Sequence, residues 1–391
     1  VRRKLDKTWS SESKVRSLVP RDSFLGERIV WQGQPEVTAP PAFLRALAAV
    51  CFVTAVISGC FGAVIAVALA EFPLASVLFS LWCSGLGVAL LVLPRRFAKT
   101  ARYFVTDRRV IVKYGPFSRS IERRAISFAR IFWTDEAAHT GDLEVVRAVP
   151  AGALRRRLRL RLAGLIAPDR VWAIIRGAED VAPAGQGERP VGQRLDHGES
   201  VIWTARPRPE LKRFIPQGRR EWALLALSAF LLAGVGRIVR RALPVLARLS
   251  DDTGPARTWA IVGLALGLGL ALCLMVVIAA YLVYDAVIRQ GILAGDTRYL
   301  VTNKRVLIQR RTEELHLDRE KIIDVVDAPA GHGLRNVFLV LDGPRARAVA
   351  VSGAFGEMTR GPHLRPVFEA VTDAESVSRI LRDRLGLKAA A

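Results

Sequence analysis

Histidine, cysteine and methionine are scarce in this chain of 391 residues, and their scarcity excludes more chemistry than any motif supplies. The five histidines, His139, His197, His316, His332 and His363, fall into no metal-ligand spacing, so no metal centre is expected. The four cysteines, Cys51, Cys60, Cys83 and Cys273, all stand inside apolar runs, where neither a disulfide framework nor a zinc site would have a purpose. There is no glycine-rich phosphate loop, no dinucleotide fingerprint, no H-E-x-x-H and no nucleophile elbow. The expectation is a protein that is not an enzyme and carries no cofactor.

Charge is also missing, but only locally. Residues 46–70, 72–93 and 258–284 contain no Asp, Glu, Lys or Arg. At ~1.5 Å per residue a helix of that length crosses a hydrocarbon core of about 30 Å, and uncharged runs this long, rich in Gly and Ala, are unusual in soluble helices. A membrane protein is therefore expected. The first forty residues are polar and basic with no early apolar segment, so no secretory signal is read and the N-terminus is expected on the cytoplasmic side.

What is present is repetition. RYFVTDRRVIVKYG at 102–115 returns as RYLVTNKRVLIQRR at 298–311, with Arg102/Arg298, Tyr103/Tyr299, Val105/Val301, Thr106/Thr302, Arg109/Arg305 and Val110/Val306 identical. A second phrase, GERIVWQGQP at 26–35, returns as GESVIWTARP at 198–207. Trp31 lies 72 residues before Tyr103 and Trp203 lies 96 before Tyr299, so the second half has gained 24 residues between its landmarks.

The first interval reads as a helical hairpin: Arg45 precedes it, Glu71 and Pro73 break it, and Arg95, Arg96 and Lys99 close it. The basic ends belong inside and the turn outside. In the second interval a short apolar run, 222–236, is followed by Arg237, Arg240, Arg241 and Arg248 before the long span begins. Ile238, Val239, Leu243, Leu246 and Leu249 recur at helical spacing, which predicts an amphipathic segment lying in the interface and holding most of the 24 extra residues. The glycines of LALGLGL at 264–270 are expected to serve helix packing, and Asp285 to be an interfacial acid.

The repeated phrase predicts two short strands about a turn, with Tyr103, Val105, Val110 and Val112 in a core and Asp107 or Asn303 in the turn. Arg109 and Arg305 read first as exposed or turn-bracing cations and second as ligand contacts. Further alternating runs stand at 119–126, 142–147, 158–162, 316–323 and 337–342. Helices are predicted over 170–176, after Pro168-Asp169, and over 374–385, after Thr372-Asp373.

The Y-x-V-T-[DN]-x-R-V phrase after a helical hairpin, the upstream GE-x-x-x-W-x-x-x-P, Gly141-Asp142-Leu143, Gly333-Leu334-Arg335 and the closing helix resemble bacterial membrane proteins with pleckstrin-homology-like (PH-like) domains. The resemblance implies an α+β membrane protein with two transmembrane helical hairpins. Each is followed by a PH-like barrel or bent seven-stranded sheet capped by a C-terminal helix. The corresponding division is a basic N-terminal and juxtamembrane segment (1–42), first hairpin (43–94), first PH-like domain (95–180), linker and juxtamembrane repeat (181–218), second hairpin (219–288) and second PH-like domain (289–391). The resemblance implies membrane-linked binding rather than catalysis. The expected protein is a scaffold in the bacterial cytoplasmic (inner) membrane, with both PH-like domains and both termini cytoplasmic. Its expected partners are membrane lipids and other membrane proteins, not nucleic acid. The alternative is a component of a transport system, although the few uncharged polar residues of the spans, Thr54, Ser58, Ser76, Ser80, Ser84 and Ser228, outline no hydrophilic path.

The formal net charge of +22 must face something, and for a membrane-anchored chain the nearest anionic surface is the bilayer, where each cation is worth roughly 1 kcal/mol. Residues 95–180 carry 19 basic and 9 acidic side chains, and residues 289–388 carry 17 and 13. The cations expected to meet an anionic surface or partner are therefore Arg108, Arg109, Lys113, Arg119, Arg123, Arg124, Arg155, Arg157, Arg159 and Arg161. In the last four, alternation with leucine puts charge on one face of a strand.

Overall fold

The computed structural model describes residues 26–36, 42–69, 73–134, 139–147, 158–178, 191–207, 216, 219–250, 255–331, 333–341 and 363–385. Strands β1 (Ile29–Gly33), β2 (Ala101–Thr106), β3 (Arg109–Tyr114) and β4 (Phe117–Glu122) form one antiparallel sheet in that order. Helices α1 (Ala42–Leu69) and α2 (Leu74–Thr100) are inserted between β1 and β2. Strands β5 (Phe128–Trp133), β6 (Thr140–Arg147) and β7 (Leu158–Ile166) and helix α3 (Pro168–Arg176) complete the first half.

The second half repeats this order. It runs β8 (Val201–Ala205), α4 (Arg219–Ser250), α5 (Pro255–Val283), a π-helical turn (Tyr284–Ile288), α6 (Arg289–Gly295), β9 (Thr297–Thr302), β10 (Arg305–Arg310), β11 (Glu313–Asp318), β12 (Asp324–Gly331), β13 (Leu334–Val340), β14 (Val367–Val371) and α7 (Ala374–Leu385). From the start of β2 to the start of β5, every strand and the short 3₁₀ turn Arg123–Ala125 recur at a constant spacing of 196 residues.

The GE-x-x-x-W phrases, assigned from sequence to juxtamembrane segments, are edge strands of the sheets. β1 pairs with β2 (Trp31 opposite Val105) and β8 with β9 (Trp203 opposite Val301). They escaped notice because an edge strand separated from its neighbour by a membrane-length insertion has no local pairing signal. The seven strands of a half also do not form one sheet of their own. Strands β1 to β4 form one sheet and β12 to β14 another, while β7-β6-β5 joins β11-β10-β9-β8 in a seven-stranded sheet shared by both halves. The joint is antiparallel, with Glu313, Glu314, Leu315 and His316 opposite Phe132, Ile131, Arg130 and Ala129.

Two cores result. Tyr103, Val105, Val110, Val112, Leu143, Leu162 and Trp172 lie in the first. Tyr299, Val301, Val306, Ile308, Leu317, Phe368 and Leu381 lie in the second, which also takes Phe128 and Val146 from the first half. Tyr103 ties its two sheet layers together by donating its hydroxyl to the Ala163 carbonyl at 3.1 Å. In the second half the Tyr299 hydroxyl accepts from the Glu369 amide at 3.0 Å.

Four helices are long and apolar enough to cross a membrane, with windows at Phe43–Val64, Leu74–Thr100, Glu221–Pro244 and Ala265–Leu293. α1 packs on α2 and on α5, and α5 on α4. Side-chain hydroxyls link neighbours: Ser58 donates to Ser76 O at 3.1 Å, Ser80 to Ala55 O at 2.8 Å and Ser228 to Ala279 O at 3.0 Å. Gly267 lets α5 approach Phe61 and Cys60 of α1, whereas Gly269 has open space. The stretch read as an amphipathic segment is helical and continuous with the apolar run before it. α4 runs for 32 residues through Arg237, Arg240 and Arg241, where Arg, Ala and Leu are strong helix formers, and continues past Pro244 inside it. Most of the extra residues lie elsewhere: α5, the π-helical turn and α6 span 29, 5 and 7 residues, where α2 has 27.

Gly141 sits where a Cβ would lie 2.5 Å from the Phe132 carbonyl oxygen, at the bulge where β6 leaves register with β7. Gly141→Ala is expected to lower stability by about 1–3 kcal/mol, read as a fall in thermal unfolding temperature in detergent. Gly269→Ala, with nothing within 4 Å, serves as the tolerated control.

Candidate interaction surface

The repeated phrase closes a small polar lock in each half. Thr106 ends β2 and its hydroxyl accepts from the Arg109 amide at 2.9 Å while donating to Glu27 at 2.8 Å; Arg109 Nε donates to the same carboxylate at 3.0 Å. In the second half the Thr302 hydroxyl accepts from the Arg305 amide at 2.9 Å and donates to Glu199 at 2.6 Å, and Arg305 Nε donates to Glu199 at 2.9 Å. The Asp107 and Asn303 side chains accept from the amides of Arg28 and Ser200 at 3.2 and 3.1 Å, which fastens the edge strand to the turn. Arg109 and Arg305 are thus braces of the turn, with their charge spent on the Glu of the upstream phrase.

Arg123 and Arg319 form a further repeated pair, absent from the sequence comparison. Arg123 donates to the carbonyls of Ile174 and Ile175 near the end of α3, both at 2.9 Å, and reaches Thr106 O at 3.3 Å. Arg319 reaches Ile380 O in α7 at 2.8 Å and Thr302 O at 3.1 Å. Each arginine clamps the closing helix to the first turn of its own half. The 196-residue spacing was the signal that could have found the pair.

The remaining expected site residues do not converge on one patch. Arg108 and Arg124 are exposed, and the Arg124 carbonyl accepts from Lys321 Nζ of the second half at 2.8 Å. On β7 the leucines Leu160 and Leu162 point into the core and Arg159 and Arg161 outward, as the alternation predicts. Their charge is offset across the ladder, since Arg161 Nε donates to Asp142 at 3.0 Å and Arg159 lies 3.8 Å from Glu144. Arg155 and Arg157 lie outside the described residues.

Lys113 and Arg119 remain, flanking the β3–β4 turn, and this turn is placed by the helix that precedes the sheet. β2 begins at Ala101, directly after the last residue of α2, and Ala101 pairs with Tyr114. The turn Tyr114-Gly115-Pro116-Phe117 therefore sits beside the exit of a membrane-length helix, made tight by Gly115 at a φ of +56°. Phe117 is 76% exposed and Tyr114 39%. The equivalent turn of the second half is different: Arg310 pairs with Glu313 at 2.7 Å, Arg311 pairs with Asp296, and Thr312 O accepts from the Trp133 amide at 2.8 Å. One tip is aromatic, basic and open, and the other is charge-neutralised and joined to β5.

The seam between the halves was not legible in the sequence. Glu314, buried, forms an ion pair with Arg194 and a hydrogen bond with His316, and Arg194 lies over the Trp133 ring at 5.2 Å. Arg176, at the end of α3, bridges Asp196 at 2.6 Å and Asp318 at 3.2 Å. Burial would raise the Glu314 carboxyl, but hydrogen bonding to His316 and the Arg194 charge hold it below its ordinary range. Burial pushes the His316 imidazole down, Glu314 opposes this, and the Arg305 charge adds to the fall. Arg305 NH1 can only donate, so His316 Nδ1 at 3.3 Å accepts and Nε2–H is left to donate to Glu314 at 3.3 Å.

Two outcomes are expected. Arg305 is 6% exposed and Arg109 30%. Arg305→Ala leaves a buried glutamate unpaired and should cost about 3–5 kcal/mol, and Arg109→Ala clearly less, measured by denaturation in detergent. His316 takes a proton less readily folded than unfolded, so its contribution is complete above about pH 6.5 and is lost as pH falls, at up to about 1.4 kcal/mol per pH unit. The His316→Gln variant should show a flatter profile of unfolding temperature between about pH 6.5 and 5.

A family model described as a bacterial PH domain matches residues 43–135, from the start of α1 to just past β5. No curated protein and no solved structure matches the chain. Over that segment the chain is similar to the bacterial PH domain, and the likeness of the second half to the first rests on the shared strand order and the matched locks described above.

Proposed function

We propose that the chain is a non-enzymatic binding or scaffold protein anchored in the bacterial cytoplasmic membrane by two helical hairpins. Its two PH-like halves face the cytoplasm and contact membrane proteins or the anionic lipid surface. The observation that carries this reading is the β3–β4 tip. Exposed Phe117 and Tyr114, flanked by Lys113 and Arg119, stand beside the point where α2 ends. An aromatic ring with adjacent cations suits a headgroup layer, where the ring reaches apolar carbon and the cations meet phosphate. Apolar side chains left bare on the helices, among them Trp82 at 72% and Phe230 at 75%, support a lipid rather than an aqueous surround. The family match supports a binding role in general.

The transport reading finds less support. Ser58, Ser80 and Ser228 spend their hydroxyls on carbonyls of the neighbouring helix, and Asp285 pairs with Arg289 at 2.6 Å.

The test places an environment-sensitive fluorophore at Phe117→Cys in a full-length chain whose four native cysteines are replaced. Emission should shift to the blue in nanodiscs containing anionic lipid relative to detergent. The shift should shrink on Lys113→Glu with Arg119→Glu and as salt rises, since charges are screened beyond about 10 Å at 0.1 M. Identical spectra in detergent and anionic bilayer would exclude lipid contact at the tip. Reporter fusions at Glu71, Thr253 and the C-terminus should give an extracytoplasmic signal at the first two only.

A further inference from the structure

Arg130, on β5, is buried to 1% exposure, and its charge is incompletely met. Its Nε lies 3.2 Å from a Glu144 oxygen, yet neither Nε nor Nη2 has a hydrogen-bond partner among the described residues. The buried guanidiniums of Arg194 and Arg305 are served differently, for Arg194 donates to both oxygens of Glu314 and Arg305 to both of Glu199. A buried donor without an acceptor carries the full cost of its desolvation, so a fold that keeps one invites an acceptor from outside the chain. Two further arginines stand around it. Arg159, on β7, is half-exposed and reaches Glu144 only at 3.8 Å. Arg365, on the segment that enters β14, is partly buried; burial lowers its guanidinium from the ordinary range, Glu369 opposes this, and the charges of Arg130 and Arg159 add to the fall. We propose that Arg130, Arg159 and Arg365 hold a phosphate-type oxyanion, with Arg130 as the inner donor and the other two at the solvent side.

The strands bring these side chains to one face. On β5, Ala129 and Ile131 point into the first core, so Arg130 between them points the other way; on β7, Leu160 and Leu162 point into the same core and Arg159 away from it. Across the ladder Arg130 stands opposite Glu144 of β6, with Arg159 opposite Val146 two residues on. The segment entering β14 is held against this face, because the Leu364 amide donates at 2.7 Å to Glu313, which stands opposite Phe132 of β5. Arg365 follows directly. The charges do not cancel. Arg130, Arg159 and Arg365 act on one another and on Glu144 and Glu369, while Arg310 and Glu313, which also act on Arg130, pair with each other at 2.7 Å. Three cations less two anions leave one positive charge. Glu144 shows why a second carboxylate fits poorly: its two oxygens lie in one plane and leave Nη2 of Arg130 unmet. A tetrahedral phosphate offers three or four oxygens in different directions, which suits guanidinium forks arriving from separate strands. Arg161, the next cation of β7, donates to Asp142 and stands outside the site. The site belongs to the seven-stranded sheet and the β3–β4 tip to the four-stranded one, so the two are independent.

The experiment follows thermal unfolding of the full-length chain. One arm adds inorganic phosphate to the protein in detergent, with sodium chloride at equal ionic strength as the reference. The other compares nanodiscs of phosphatidylcholine with nanodiscs that also contain phosphatidic acid. A ligand that binds the folded chain should raise the unfolding temperature in a saturable manner. Arg159→Gln with Arg365→Gln should raise the half-saturating concentration by about tenfold or more, the loss expected for a charge-assisted hydrogen bond, and Arg161→Gln should leave it unchanged. Arg159→Lys with Arg365→Lys keeps the charge beside Glu144 and Glu369 but loses the fork; it should give a smaller loss, and it decides the matter if the Gln pair does not fold. A saturable rise in detergent identifies a soluble phosphate as the ligand, and a rise confined to phosphatidic acid nanodiscs identifies a lipid headgroup. Three results would overturn the proposal: neither arm exceeding its reference, a rise that both paired variants leave intact, or a rise removed instead by Arg161→Gln or by Lys113→Glu with Arg119→Glu.

Discussion

The pairing of β5 with β11 is the constraint on which the soluble part depends. It puts strands from both halves into one sheet, so neither half has a complete surface of its own: Phe128 and Val146 belong by sequence to the first half and by packing to the second core. The buried charges follow from it. Where two sheet layers meet end to end, backbone ladders are satisfied but the flanks are not. Arg194, Glu314, Arg176 and Asp196 fill those flanks with ions that must all be paired, because an unpaired charge there carries the full cost of its desolvation, and neutral His316 donates a further hydrogen bond to Glu314. A joint of this construction holds one geometry and resists loosening by degrees.

The fold was legible where a local pattern carried it. The hairpin of β2 and β3, the placement of Tyr103 and Tyr299 in the cores and both closing helices follow from alternation, turn residues and helical spacing, although α3 begins at Pro168 after Ala167 and takes no side-chain cap from Asp169. Among the strands that escaped are β5 of the joint and its counterpart β12, whereas the runs at 119–126 and 316–323 caught part of β4 and of β11. In FARIFW of β5, Ala129, Ile131 and Trp133 face one core while Phe128 faces the other and Arg130 is buried between the halves. Both faces are covered, so the alternation of polar and apolar residues that marks a strand is erased. β12 is obscured differently, by Pro329 and two aspartates that suit an edge.

The candidate surface was legible only in part. Composition located the positive charge, but charge counts do not show which cations are already engaged. Arg109 and Arg123 lie in the same basic run as Lys113 and Arg119. The first two are consumed by a glutamate 82 residues away and by helix-end carbonyls some 50 residues on. Phe117, the most exposed aromatic of the turn, drew no notice because a single apolar residue beside Gly-Pro has no pattern to announce it. In the helices the arginines of 237–248 did not mark an end of secondary structure, because a helix continues where its residues favour it.

The insertion of a helix pair between β1 and β2 has a kinetic consequence. During synthesis β1 leaves the ribosome well before the strand it must pair with, and between Gly33 and Ala101 stand two helices long and apolar enough to cross a membrane. Left free, a loop of that length carries the usual entropic penalty for bringing its ends together, about (3/2)RT ln n. Two helices packed side by side bring the ends of that loop together and remove most of the penalty. On the membrane-anchored reading proposed above, insertion of the pair is the folding step that precedes sheet closure, and a chain whose helices fail to pack leaves β1 unpaired, an exposed strand by which a quality-control protease could recognise the failure.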